Sequence, residues 1–397
     1  MTVRETSCDV LIIGGGSAGV AVAIGAARAG AETRLVERYG FLGGMATAAM
    51  VGTVCGLYAT GPGGPPRRLN DGVAAEVEQR LGVEPVRRGR TVVLPYDPLA
   101  MTRVLDDLVV GEASLSVSLH TTCAAAEGSR ERIERVRLVG WRGTEDVAPR
   151  VVVDASGDAI VAWHAGLATE TPAARQLASA VFVLQGVDTG AVGGARTVAV
   201  LRALHDAERA GDLPRGCALA AFRASGRPGE VAVKLALDDL DVPDGADELT
   251  IAEGAARARI AILGAYLAAR VPGFGRAFVS HAAPQIGVRE SRRIAGKARL
   301  ERDDVLGARK RADGVARAAW PIELWEAGEG GARYEYGPDD DWYDVPRGCL
   351  EHATCVNLLA AGRCMAASHE AMGSARVIGT CLAVGEAAGR LAAERAR

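Results

Sequence analysis

The first apolar run, Val10-Leu11-Ile12-Ile13, contains no polar position, which predicts a buried strand. Gly14-x-Gly16-x-x-Gly19 follows at once, then an Ala-rich stretch that predicts a helix ending at Gly30. A second short strand is predicted over 33–36, closing on Glu37. Residues 56–66, rich in Gly and Pro, predict a surface loop or a cover over a site. A short helix is predicted over 72–82, and Asp97-Pro98 marks the start of an amphipathic helix to about Val110. Alternating segments near 115–119, 121–126 and 132–140 precede an apolar strand, Val151-Val152-Val153, that ends in Asp154-Ala155-Ser156-Gly157-Asp158.

From about 168 to 330 the texture changes. Strand-like 178–187, a helix near 193–211, strand-like 230–237 and a long helix over about 250–269 form a distinct block. The chain then returns to the first pattern. Residues 357–363 predict a strand into a glycine turn, 364–373 a loop, and Ser374 the N-cap of a long small-residue helix running to the end.

The opening motif has a physical reading in each position. Gly14 allows the tight turn out of the strand, Gly16 lets the backbone approach a pyrophosphate, and Gly19 lets helix and strand pack closely. The dipole and free N–H groups of the helix then face the phosphates, with Ser17 and Ala18 in its first turn. Glu37, eighteen residues after Gly19, stands where a carboxylate accepts hydrogen bonds from a ribose diol. Strand, glycines, helix and acid together indicate a dinucleotide site.

The chain has 397 residues, enough for two or three domains. A net charge of -3 with 24% charged residues gives no pull toward nucleic acid or an anionic membrane. The eight cysteines are scattered without secretory-type pairing and no signal peptide is visible, so reduced thiols in a cytoplasmic protein are expected. No uncharged apolar run reaches membrane-spanning length.

Several segments carry a family resemblance. Arg38-Tyr39-Gly40-Phe41-Leu42-Gly43-Gly44-Met45-Ala46-Thr47 resembles the run after the ribose acid in FAD enzymes of the glutathione-reductase superfamily. The segment 151–158 resembles their second fingerprint. Arg289-Glu290-Ser291-Arg292-Arg293-Ile294, the stretch from Asn357 to Met365 with Ser368-His369-Glu370-Ala371, and Gly373-Ser374-Ala375-Arg376-Val377 are similar to one FAD-dependent oxidoreductase family. That family is a relative of the succinate dehydrogenase and fumarate reductase flavoproteins.

The resemblance implies an α/β fold: a glutathione-reductase-type, Rossmann-like FAD domain over 1–167 and 331–397, with an inserted α+β substrate domain over 168–330. FAD is the implied cofactor. It would be contacted by the opening glycines, Glu37, Arg38, Gly43, Gly44, Met45 and Thr47. Cys123, Ala155, Ser156, Gly157, Asp158, Gly362 and Arg363 complete the expected set on the nucleotide side. Gly373, Ser374 and Ala375, opening the last helix, are expected to face the N1/C2 carbonyl edge of the flavin.

Departures from relatives narrow the chemistry. Cys55 stands alone where dithiol reductases carry a pair, and no histidine stands between Glu37 and Thr53 to hold the flavin covalently. Gly362-Arg363 replaces the Gly-Asp pair of aromatic-ring hydroxylases, and no second complete GxGxxG is visible. The expected reaction is hydride transfer between a small organic metabolite and noncovalent FAD, with oxygen, another acceptor or NAD(P)H as redox partner. The rivals are a flavin monooxygenase and a nonredox protein holding a structural dinucleotide.

For proton transfer or substrate polarisation the candidates are His369, His281 and, less directly, His352. Arg289, Arg292 and Arg293 suit either a substrate carboxylate or structural ion pairs, such as one between Arg289 and Glu290. Cys349-x2-His352-x2-Cys355 has superficial metal-ligand spacing, but a closed site needs four converging ligands and no metal is expected. The aromatics from Trp320 to Tyr343 line a pocket wall or form the seam between domains.

Overall fold

The computed structural model describes residues 4–188, 190–238 and 245–397. Its first strand, Arg4–Ile13, is longer than the apolar run, because its polar half pairs as well as its buried half. It runs parallel to Gly143–Asp154 along its whole length, from Arg4 opposite Glu145 to Ile13 opposite Asp154. On its other side Thr33–Val36 pairs in parallel, followed by Leu115–Ser118. Among the described residues the sheet has seven strands. The long strand Gly143–Asp154 serves two neighbours on one edge. Its first half continues into an antiparallel meander with Ile133–Gly140 and Thr122–Gly128. Its second half receives Leu358–Ala360 in parallel.

The helices Ser17–Arg28 and Ile378–Ala396 pack against each other on one face of this sheet. Their small-residue composition allows a backbone-to-backbone approach: a methyl group on Gly385 would collide with the Ala18 carbonyl. The opposite face is closed by the meander and the helix Ile160–His164, around Leu11, Val136 and Val152.

A second sheet, antiparallel and four-stranded, is ordered Ala221–Ala224, Val231–Ala236, Ser179–Gln185, Phe278–Ala282. The helices Gly194–Ala210 and Ala246–Arg270 cover it around Phe182, Leu235, Leu263 and Phe274. Leu300, Val305, Ala318, Ile322 and Leu324 already belong to the first core, so the packing changes over well before residue 330. No helix among the described residues is long and apolar enough to cross a membrane.

Candidate functional site

The parallel strands end together at Ile13, Val36, Asp154 and Ala360, and the chain leaves that edge at Gly14, Glu37, Ala155 and Ala361. This is the carboxyl edge where open α/β sheets take ligands. Gly14 has φ +103°, and a Cβ on it would stand 2.5 Å from the Ala155 carbonyl oxygen, so the first turn and the second fingerprint touch. Gly19 is pressed onto the Gly14 carbonyl and likewise has no room for a side chain. Gly16 is different. Its backbone is ordinary (φ -67°, ψ 179°), and the nearest atom to an added Cβ is Gly44 Cα at 3.9 Å. Its bare backbone faces open space.

The Gly43-Gly44 pair closes the other side. Gly43 N donates to Gly15 O at 2.8 Å, and Gly43 and Gly44 both hold positive φ. Glu37 is 5% exposed and accepts Gly15 N at 2.6 Å and Tyr39 N at 2.9 Å, one on each carboxylate oxygen. Each oxygen keeps a second lone pair for a ligand hydroxyl.

The second fingerprint is held by Asp154, a residue of the motif to which the sequence assigned no role. Asp154 is fully buried, and its carboxylate accepts Ser156 Oγ at 2.6 Å and Val161 N at 2.8 Å. Burial pushes its pKa up, opposed by those hydrogen bonds. The Ala155-Ser156-Gly157 turn is thereby shaped against the cradle. Arg363 lies across Gly157, donates to the Val288 carbonyl and stands 3.5 Å from Asp158, tying the C-terminal turn to both.

Of the expected cofactor contacts, Gly14, Gly16, Ser17, Ala18, Glu37 and Arg38 line this cradle. So do Gly43, Gly44, Met45, Ala155, Ser156, Gly157, Gly362 and Arg363. A second cavity of about 310 Å³ shares Arg38, Tyr39, Met45 and Arg363 with it, includes Asp158, and is roofed by Leu249, Glu253 and Ile286.

Three expectations are corrected. Thr47 is 6% exposed and spends its hydroxyl on the Leu42 carbonyl at 2.7 Å, so it braces the loop from behind. Cys123 packs in the core beneath Ile13 and Val36 and donates to Ala125 O, away from the cradle wall. Gly373-Ser374-Ala375 does not open the last helix. These residues end the short helix His369–Ala375, whose cap is Ser368, and the last helix begins at Ile378. Ser374 is fully buried, bonded to Tyr343 Oη at 2.7 Å and to the Trp320 carbonyl. Arg376, Ile378 and Cys381 reach the cradle instead. Ser374→Ala is therefore expected to leave FAD affinity unchanged while lowering stability by about 1–2 kcal/mol, read by parallel flavin titration and denaturant unfolding.

The catalytic candidates separate. His281 is exposed on the outer strand of the second sheet, 3.0 Å from Ser280 Oγ, and lines neither cavity. His369 also lies off both cavities. Its Nδ1 is 2.7 Å from Glu290 Oε2, and that hydrogen bond raises its pKa. Glu290 pairs at 2.8 Å with Arg293, not with Arg289, and both side chains are almost wholly buried. Arg292 stacks on Trp163 and donates to the Asp158 carbonyl at 3.3 Å. The His352 ring contacts the Ala168 carbonyl at 3.1 Å and accepts Cys355 N, which accounts for the Cys-His-Cys spacing. Among the described residues no three His, Cys, Asp or Glu converge to hold a metal ion.

Arg289 has a more unusual place. It is 8% exposed, donates to the Leu177 carbonyl and lies 4.8 Å over the Trp325 ring. Lys234 lies 4.4 Å over the same ring. Burial pushes Arg289 down to about 9, with Arg376 adding to the effect, and burial pushes Lys234 down to about 8, with Arg289 adding. Glu323 accepts the indole N–H groups of Trp320 and Trp325 at 2.9 and 2.7 Å. Burial raises its pKa, but Arg376, Lys234 and the two indole hydrogen bonds together hold it low. Cys55 beside this group is pushed by burial to about 12, so it is no thiolate.

A family model for FAD dependent oxidoreductases matches residues 9–397. The chain belongs to that family. Its cofactor is FAD, and the cradle fits it: a carboxylate for the ribose, a bare glycine backbone for the pyrophosphate, and arginine at the C-terminal turn. No curated protein matches the sequence. Among solved structures, a geranylgeranyl bacteriochlorophyll reductase-like protein from Thermoplasma acidophilum is similar at 15% identity and TM-score 0.47, over 98% of this chain and 79% of that one. The Sdh1 complex of Mycobacterium smegmatis is similar at 16% and 0.47, over 100% and 69%. OxyS anhydrotetracycline hydroxylase from Streptomyces rimosus is similar at 13% and 0.45, over 91% and 57%. All three scores lie below 0.5 and add nothing to the family assignment.

Proposed function

We propose that this FAD-dependent oxidoreductase exchanges a hydride with a small organic metabolite, the unit around residues 168–330 acting as the substrate domain. The observation that carries this reading is the junction at Arg376. That residue lines the cradle and donates from Nη2 to Gln176 Oε1 at 3.1 Å, so the second unit meets the cofactor space there. FAD supplies the hydride acceptor or donor at its N5 position. The chain's own part is to bind and orient. Glu37 takes the ribose, Gly16 and Gly44 let the pyrophosphate approach, and Arg363 faces it from the C-terminal turn. The helix that begins at Ile378 brings its positive end to the cradle.

Anaerobic titration of the yellow protein with a metabolite panel tests the reading. At least one substrate or reductant is expected to bleach the flavin without a hydroxylated product. A flavin that nothing bleaches would point to a structural cofactor, and NAD(P)H consumption yielding a hydroxylated product would point to a monooxygenase.

A further inference from the structure

Resting on that reading, we propose that Lys234, Arg289 and Arg376 form a receptor for a carboxylate group of the substrate, at the junction between the cradle and the second unit. Three cations come from three separate segments: the strand Val231–Ala236, the loop before Arg293–Ile294, and the turn leading into the last helix. Two of them flank one indole, Lys234 at 4.4 Å and Arg289 at 4.8 Å from the Trp325 ring. The carboxylate whose charge acts on both is Glu323. Each of its oxygens also accepts one indole N–H, from Trp320 and from Trp325.

Three positive groups therefore share the single negative charge of Glu323 in a sheltered place. Buried cations without matching anions are costly, and a second carboxylate would relieve that cost. A second observation points the same way. Gln176 is 4% exposed, and its Nε2 has no hydrogen-bond partner among the described residues; Arg376 Nε is likewise unpartnered. The two residues are joined through Arg376 Nη2 and Gln176 Oε1, and each keeps one buried N–H without an acceptor among the described residues. A carboxylate supplies two acceptor oxygens in the planar geometry that guanidinium groups match. Lys234, Glu323 and Arg376 each keep partial solvent contact, and Arg376 itself lines the cradle.

The test is isothermal titration calorimetry on the purified full-length protein, with its flavin content measured in the same sample. The probes are benzoate, hexanoate and succinate, each beside its primary amide. At least one carboxylate is expected to bind saturably and roughly 10–100-fold tighter than its amide. Lys234→Met and Arg289→Met are expected to remove that preference, while Lys234→Arg restores most of it and FAD content stays constant in all three. Equal binding of acids and amides, no binding of any acid, or an unchanged preference in both Met variants would overturn the proposal. A colourless protein would overturn the flavin reading instead, whichever way the calorimetry falls.

Discussion

Gly16→Ala is expected to leave the fold intact and weaken FAD binding roughly 10–100-fold, whereas Gly14→Ala is expected to cost about 2–5 kcal/mol of stability. The two residues lie two positions apart in one motif, yet their constraints differ. At Gly14 a side chain is opposed by φ +103° and by the Ala155 carbonyl 2.5 Å away, so the turn or the second fingerprint must move. At Gly16 the backbone conformation suits any residue, and the added methyl enters space whose nearest protein atom is 3.9 Å away. In the proposed binding mode that space takes the pyrophosphate, which one added methyl would displace. Urea unfolding of both variants beside fluorescence titration with FAD separates the two effects. Loss of stability in Gly16→Ala, with FAD affinity kept, would contradict the assignment.

Glu290→Gln is expected to destabilise the protein by roughly 3–5 kcal/mol, because it strands the buried Arg293 and removes the partner of His369. Arg293 is 2% exposed, and its pairing with Glu290 at 2.8 Å is a buried contact. The pH dependence carries a separate signature. The Glu290 hydrogen bond raises His369 above its ordinary 6.5 in the folded state. A raised value means that the folded state holds the proton more tightly than the unfolded chain. The stabilisation from this pair is thus complete below about 6.5 and is lost as pH rises through the raised value. In Glu290→Gln that decline is expected to flatten, read as unfolding midpoints between pH 5 and about 9. An unchanged slope would show that His369 does not depend on Glu290.

The nucleotide half was legible because its determinants are local. Strand, Gly14, Gly16, Gly19 and Glu37 follow one another within a single β-α-β unit, where spacing alone sets geometry. Asp97 was readable for the same reason: it caps the helix Pro98–Val110 through Leu99 N and Ala100 N. Ser374 misled because serine favours N-caps, but here a tertiary demand prevails. Tyr343 and Trp320 take its hydroxyl, and the last helix starts at Ile378 after Val377, which offers no side-chain cap. Arg289 was singled out, but its setting was not. Lys234, Glu323 and Arg376 are neighbours of Arg289 only after four distant segments fold together, and no periodicity in the chain announces that meeting. Thr47 and Cys123 show the same limit on a smaller scale, since a motif position specifies the backbone path before it specifies which side chains reach the ligand.

The most direct check on the whole account is flavin extraction from the purified protein. Heat or acid denaturation is expected to release a yellow supernatant holding about one FAD per chain, with none left on the precipitate. A preparation that is colourless, and stays so after incubation with excess FAD, would contradict the cradle at Gly16 and Glu37 and everything built upon it.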